Sequence, residues 1–418
     1  MFNKSESIPS LAQRARDKTQ NPNEKGNPHM SNDRIDPIPN QKNSVTGLLS
    51  LLVIGTIAGL AYFSSKEAPT ATDPHDVAGA QIQPGRPSAD VLPGQHQPVA
   101  ALFGYKPQPA ETRQFLRSLP QPNLREAAPQ LFVARGPPQD ALLYRALYKA
   151  HRDKFGSDWQ VGRQGIGDCV SWGWAHACDI HLAIMYCEGD SADWRPVATE
   201  SIYGGSRVEA RGVKSGGYSD GSYGGAAAKW VRDYGLIFRE TYPSVDLSRY
   251  SSRRAKDWGN YGNGGREDHG QLDLQAKKSP VRTVALVKTF DEAAAAIQSG
   301  YPVPVCSGQG FSSRRDDDGF CKTSGSWSHC MCFIGVRHDR RGLLCLNSWG
   351  PTWVTGPKWP DDMPDGSFWV EEATVNRMLR QHDSFSVSGY DGFPFRQLDH
   401  AAWVHRLQPN EPIFALAL

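Results

Sequence analysis

The sequence predicts an α+β domain over residues 141–380 of a 418-residue chain. Three observations carry that expectation. First, Gln164-Gly165-Ile166-Gly167-Asp168-Cys169 is a glycine-punctuated loop. It opens a run in which Trp172, Trp174, Ala175, Cys178, Leu182 and Met185 cover most of a helix of about four to five turns, ending near Gly189. Second, residues 331–336 and 343–346 are short, nearly continuous apolar runs joined by the polar stretch 337–342, the pattern of two buried strands in a hairpin. Third, the composition is uneven. Thirty prolines and a mean hydropathy of −0.53 describe a chain that is only partly packed.

The unpacked part comes first. Residues 1–42 are polar and lack apolar periodicity, and read as a disordered tail. Residues 43–65 carry no charge and 47–63 are almost wholly apolar. A helix over 44–64 is therefore expected to span a hydrocarbon core of about 30 Å as a transmembrane helix or signal anchor. A cleaved signal peptide, with translation starting at Met30, is the alternative. Lys25, Arg34 and Lys42 on one side, against Lys66 and Arg86 on the other, place the bulk of the chain on the extracytoplasmic side of a single-pass anchor. Closely spaced prolines make 65–140 an extended linker, with a short helical turn around 111–119. This linker could also fold back over a cleft. A net charge of +2 is too balanced to imply nucleic acid or an anionic surface as the main partner, and no nucleic acid is expected.

The chemistry is expected at Cys169. A cysteine at a helix N-terminus sits at the positive end of the macrodipole, which favours thiolate. The Gln164 amide, just upstream, could donate to an oxyanion forming beside that sulfur. His329 enters the first apolar strand and Asn347 leaves the second, so an antiparallel hairpin puts them at one end. A base and its orienting group would then face the nucleophile. An amphipathic helix over 141–154, with Leu143, Leu147 and Ala150 inward, begins the domain.

Four blocks in this order resemble the papain family of cysteine peptidases. They are the Gln-Gly…Cys run, and Gly221-Ser222-Tyr223-Gly224-Gly225 with the helix through Trp230 and the following 234–243 stretch. The third is His329 before an apolar strand with Asn347-Ser348-Trp349-Gly350 after it, and the fourth is the closing strand at 365–370. The likeness covers residues 159–373. It implies a two-subdomain fold, one half helical and the other an antiparallel, barrel-like sheet. It also implies that Cys169 is the nucleophile, His329 its base and Asn347 the group that fixes the imidazole, with Gln164 and the Cys169 N–H as oxyanion hole. Trp349 would cover the His–Asn bond, with Trp353 packed nearby. Gly224 and Gly225 would pair with an extended peptide substrate, and Ala226, Ala227, Trp327 and Cys330 would line the pocket for the residue two before the scissile bond. No cofactor and no metal are implied.

The chain departs from the family pattern at the nucleophile. Gln164 precedes Cys169 by five residues rather than six, Asp168 replaces a small residue, Val170 replaces a tryptophan, and the oxyanion-loop half-cystine is absent. Asp168 is expected to cap the helix. Of eight cysteines, none lies between residues 188 and 305, and a Cys306–Cys321 bridge is open. That usage points to a reducing compartment, against the topology inferred from the flanking charges. The Gly-, Arg- and aromatic-rich stretch 243–280 is expected to be a solvated insertion, and Asp316-Asp317-Asp318 a solvated turn. Residues 381–418 form a C-terminal extension. The expectation is a membrane-tethered thiol endopeptidase or exopeptidase acting on peptide or protein substrates, of open oligomeric state. The alternatives are a catalytically weak papain-fold scaffold in a larger assembly, or another cysteine hydrolase or acyltransferase.

Overall fold

The structure, a computed structural model, describes residues 102–133, 139–266, 270–279 and 281–403. The expected tail, 1–42, and the expected membrane helix, 44–64, lie outside the described residues. No helix of the described residues is long and apolar enough to cross a membrane.

The C-terminal part of the expected linker is folded. It contains α1 (Pro109–Arg117), where the sequence suggested a helical turn, and α2 (Leu124–Ala127). A proline at the first position of α1 costs no hydrogen bond, because that N–H has no partner inside the helix anyway. Phe115, Leu124, Ala128 and Leu131 are buried, which fastens this segment to the domain. β1 (Ala141–Leu142) and α3 (Tyr144–Phe155) follow.

The expected long helix is α4 (Cys169–Cys187), buried along nearly all of its length. That fits a sequence apolar around its whole circumference. α5 (Thr199–Arg207) and α6 (Gly224–Asp233) pack beside α4, with a two-strand hairpin, β2 (Thr241–Tyr242) and β3 (Val245–Asp246), after them. The stretch expected as a solvated insertion instead forms α7 (Ser252–Tyr261) and α8 (Gln271–Ala276). The Ser251 side chain caps α7, and Ala255, Trp258 and Gly259 are buried where α7 meets α5. The polar and basic residues between these positions masked a helical spacing.

The second half is antiparallel. β4 (Thr283–Leu286) and α9 (Phe290–Gln298) lead into β5 (Val303–Arg315) and β6 (Cys321–Arg337), followed by β7 (Gly342–Leu346) and β8 (Ser367–Glu371). The sheet runs β1-β6-β7-β8, with β5 paired to β6 as well. α10 (Glu372–Leu379), β9 (Phe385–Ser388) and α11 (His400–Trp403) close the chain. β9 pairs with β4 and α11 rests on α3, so the packed body runs beyond 141–380 at both ends.

α4 lies directly on β6. A Cβ added at Gly173 would stand 2.7 Å from the Met331 carbonyl oxygen, so only glycine lets helix and strand approach so closely. β5 and β6 are longer than the apolar runs that announced them. Their outer halves are Ser-, Gly- and Arg-rich, pair through register shifts, and carry no clean alternation for a sequence reading to find. Register also settles the cysteines. Cys306 stands opposite Cys330, with their sulfurs 2.7 Å apart, whereas Cys321 stands opposite Arg315 at the ribbon's far end. The Cys306–Cys321 bridge that the sequence left open is thus absent, and all eight cysteines are free thiols. Mild oxidation with a small disulfide is expected to join Cys306 to Cys330 and never to Cys321. Mass mapping of non-reduced peptides checks this.

Candidate active site

His329 lies on β6, and Asn347 follows β7 directly. The register Cys332↔Leu346 brings the two side chains to one end of the pair, and His329 Nε2 stands 2.7 Å from Asn347 Oδ1. The identity of that amide atom is fixed by its neighbour. The Ser348 main-chain N–H, which can only donate, reaches the same oxygen at 2.7 Å. Oδ1 is therefore the acceptor of both bonds and His329 Nε2 carries the hydrogen. In a neutral ring, Nδ1 then holds a free lone pair. It is buried and has no hydrogen-bond partner among the described residues.

Gln164 is tied to the same strand end. Its main-chain N–H donates to the Ser348 carbonyl at 2.8 Å, and its side-chain oxygen accepts from Ser348 Oγ at 2.6 Å. The side-chain nitrogen is thereby turned away from Ser348, and donates to the carbonyls of Ile166 at 3.0 Å and Leu102 at 3.3 Å. Trp349 lies over the imidazole at a 36° tilt with centroids 4.7 Å apart, and also packs against Trp327 and Trp353.

Cys169 is the first residue of α4. Asp168 occupies the cap position, but its side chain makes no cap bond, contrary to expectation. Its carboxyl turns instead to the Tyr250 hydroxyl at 2.9 Å and to Trp172 Nε1 at 3.3 Å. The first turn of the helix is closed by the Asp168 carbonyl, which accepts from Ser171 and Trp172.

Residues 102–106 run through this site as a covering segment, with a single parallel bridge from Tyr105 to Ser222. The Leu102 carbonyl accepts from Gln164 and, at 3.2 Å, from Trp349 Nε1. Phe103 lies edge-on to both His329 and Trp349. The Gly104 main chain lies near the Cys169 sulfur. Tyr105 N–H donates to the Ser328 carbonyl at 3.0 Å, and Ser222 pairs with Gly104 and Lys106, each at 2.8 Å. No side chain fits at residue 104, where a Cβ would stand 1.9 Å from the Gly167 oxygen.

Gly224 and Gly225 do not supply the main-chain pairing expected of them. They begin α6, and their N–H groups, which have no partner within the helix, donate to the Asp383 carboxyl at 2.8 and 2.7 Å. Ser222 does the pairing. Ala226 and Ala227 are buried in α6, while Cys330 lies beside Cys306 with the Tyr105 hydroxyl and Asp383 near both. Trp327 lies on the opposite side, against Phe103, Phe311 and Trp349. Of the residues expected to line the pocket, Cys330 meets the Tyr105 side chain and Trp327 meets Phe103. Asp383 and Tyr250 were missed, and the covering segment was anticipated only as a linker that could fold back over a cleft. The sequence held faint signals for them: a glycine between two aromatics at 103–105, and a tyrosine just before the α7 cap.

Burial sets the charge state. Cys169, Gln164 and Asn347 are fully buried and His329 nearly so. Burial pushes the Cys169 thiol well above its ordinary range, outweighing the main-chain hydrogen bonds from Cys330 and Gly104. Burial likewise lowers the imidazole to about 4, although the Asn347 and Leu102 oxygens favour its protonated form. Burial thus keeps both the Cys169 thiol and the His329 ring neutral.

No protein-family model matches the chain, and no curated protein matches its sequence. Among solved structures it is similar to xylellain, a cysteine protease from Xylella fastidiosa, at 16% identity and a TM-score of 0.43, over 69% of this chain and 96% of that one. It is also similar to digestive procathepsin L 3 of Tenebrio molitor larval midgut, at 14% identity and a TM-score of 0.40, over 69% and 83% of the two chains. A third is proCathepsin B S9 from Trypanosoma congolense, at 10% identity and a TM-score of 0.41, over 71% and 87%.

The lowered imidazole pKa has a direction to test. The closed site disfavours the charged ring, so a proton taken up between about pH 6.5 and 4 acts against closure through this group. Nitrogen-resolved NMR should find His329 of the intact chain neutral down to about pH 4, with its pKa rising when the strand is displaced.

Proposed function

We propose that this chain is a thiol peptidase of the papain type, tethered through residues 44–64 and held latent by its own residues 102–106. One observation carries the reading. Asn347 Oδ1 accepts from Ser348 N–H as well as from the ring, so the imidazole can hold its proton only on Nε2, leaving Nδ1 as a base. Three successive residues of the covering segment then meet the site: Leu102 accepts from Gln164, Phe103 lies edge-on to the imidazole, and Gly104 packs against Gly167 in the loop before Cys169.

The chemistry follows from those roles. With the strand gone and substrate in its place, Nδ1 takes the Cys169 thiol proton and the sulfur forms a bond to the peptide carbonyl carbon. Gln164 Nε2, freed from the Leu102 carbonyl, and the Cys169 N–H receive the resulting oxyanion. The imidazolium returns its proton to the leaving amine as the C–N bond breaks. Water, deprotonated by the same nitrogen, then releases the acyl group as a carboxylic acid.

Latency follows from the same contacts. The covering strand occupies the glutamine donor and keeps water from the thiol, so the helix dipole cannot secure a thiolate. The Tyr105 side chain, with its hydroxyl among Asp383, Cys306 and Cys330, fills the pocket that a substrate side chain would enter.

Gly104→Ala in the full chain tests this directly. The added methyl meets main chain, an overpacking cost of about 1–3 kcal/mol, which shifts the population toward a displaced strand by roughly tenfold. An epoxysuccinyl thiol probe should then label Cys169 roughly tenfold faster than in the native chain, and His329→Ala should abolish the labelling. No labelling of either chain between about pH 5 and 8 would leave a papain-fold scaffold without turnover.

A further inference from the structure

The loop that carries the oxyanion glutamine is short, and no disulfide holds it. Side chains from the 218–252 region hold it instead. The Gly165 N–H donates to the Tyr250 hydroxyl at 3.0 Å, and that hydroxyl in turn donates to Asp168 Oδ2 at 2.9 Å. One oxygen thus joins the start of the loop to the residue before the nucleophile. The Gly167 N–H points to Asp220 Oδ2 at 3.5 Å, and Asp220 is paired with Lys256. Beneath Gly165, an added Cβ would stand 2.7 Å from Ser252 Cβ, so the loop lies directly on the α7 cap.

The tyrosine is itself held on both sides. Its ring packs edge-on against Trp172 at 5.0 Å between centroids. The next residue, Ser251, donates its N–H at 2.9 Å to Glu200, a fully buried carboxylate also bound by Arg239 and Arg254. Neither Asp168 nor Tyr250 touches the sulfur through a hydrogen bond. Together they define the path of the chain from Gln164 to Cys169.

We propose that Tyr250 and Asp168 are a positioning pair: their hydrogen bond, with the Gly165 N–H closing it, aims the Gln164 amide and the Cys169 N–H at the oxyanion, in place of a covalent bridge. The inference rests on the peptidase reading for its catalytic half and on geometry for its structural half. Burial raises the Asp168 carboxyl to about 8, so near neutrality it is mostly the uncharged acid. A neutral acid accepts the same bonds without repelling a thiolate at the next residue, which explains how a carboxyl is tolerated there.

The test separates the two halves. Tyr250→Phe keeps the ring and removes the one oxygen that joins the loop to Asp168. In the full chain, amide exchange at Gly165 should accelerate roughly tenfold, whatever the protein's activity. In the Gly104→Ala background, Tyr250→Phe should lower kcat on a peptide substrate roughly tenfold with KM little changed, the signature of support felt mainly in the transition state. Titrating Cys169 with the epoxide normalises kcat to folded sites, so unfolding alone does not register as a loss. Asp168→Ala should behave alike, and Asp168→Asn, which keeps the acceptor and copies the neutral acid, should recover most of the loss. Unchanged exchange at Gly165 would overturn the pair, as would faster exchange with kcat intact. A Gly104→Ala chain that cleaves no peptide would remove the peptidase reading, and the exchange result alone would then decide the brace.

Discussion

Everything at the site depends on one oxygen accepting two hydrogen bonds. Asn347 Oδ1 takes the N–H of Ser348 and the N–H of the imidazole, and that double claim fixes both the amide orientation and the ring tautomer. Neither could be fixed by sequence proximity, because His329 and Asn347 are separated by a whole hairpin. The β6–β7 register supplies the proximity, and that register is secured by the buried residues of both strands. Slipping it by one residue would turn every side chain to the other face and separate the pair. Core packing and site geometry are thus the same constraint seen from two sides.

A second balance concerns the sulfur. Placement at the first residue of α4 favours thiolate by an amount typical of a helix terminus, about 0.3–1 kcal/mol when exposed. Desolvation under a strand of the protein's own chain acts the other way and is larger, so the thiol stays protonated and the imidazole stays neutral. The two effects respond differently to uncovering. On the peptidase reading, the dipole belongs to the helix and persists, whereas the share of the burial that residues 102–106 supply would leave with them.

The sequence made the scaffold legible where burial is continuous. α4, the 331–346 hairpin and the His329–Asn347 meeting followed from apolar runs and antiparallel pairing alone. What stayed hidden depended on contacts between segments with no shared period. The outer halves of β5 and β6 are polar ribbons, and α7 buries only a few small or aromatic residues behind a charged face. The strand at 102–106 looked like linker because proline spacing reports what backbone cannot do, not where an extended backbone will lie. Gly224 and Gly225 were read as a substrate edge. Their donors are claimed by Asp383, which the left-handed turn at His382 delivers from the end of α10, and nothing near the glycines announces that partner.

The differences around Cys169 follow from the same logic. A shorter loop, an acid in place of a small residue and the absence of a half-cystine look separately like damage to a catalytic centre. In three dimensions they are compatible parts of one arrangement. Removing the half-cystine leaves the loop in need of another anchor, and the α7 region brings a tyrosine hydroxyl to its first N–H. That hydroxyl needs an acceptor, and Asp168 is the only residue in the loop with a carboxyl to offer. The carboxyl is then buried, and burial holds it mostly neutral next to Cys169. On the proposed reading each change supports the next, so a loop lacking a covalent tie would hold its donors on target while the carboxyl beside the sulfur carries little charge.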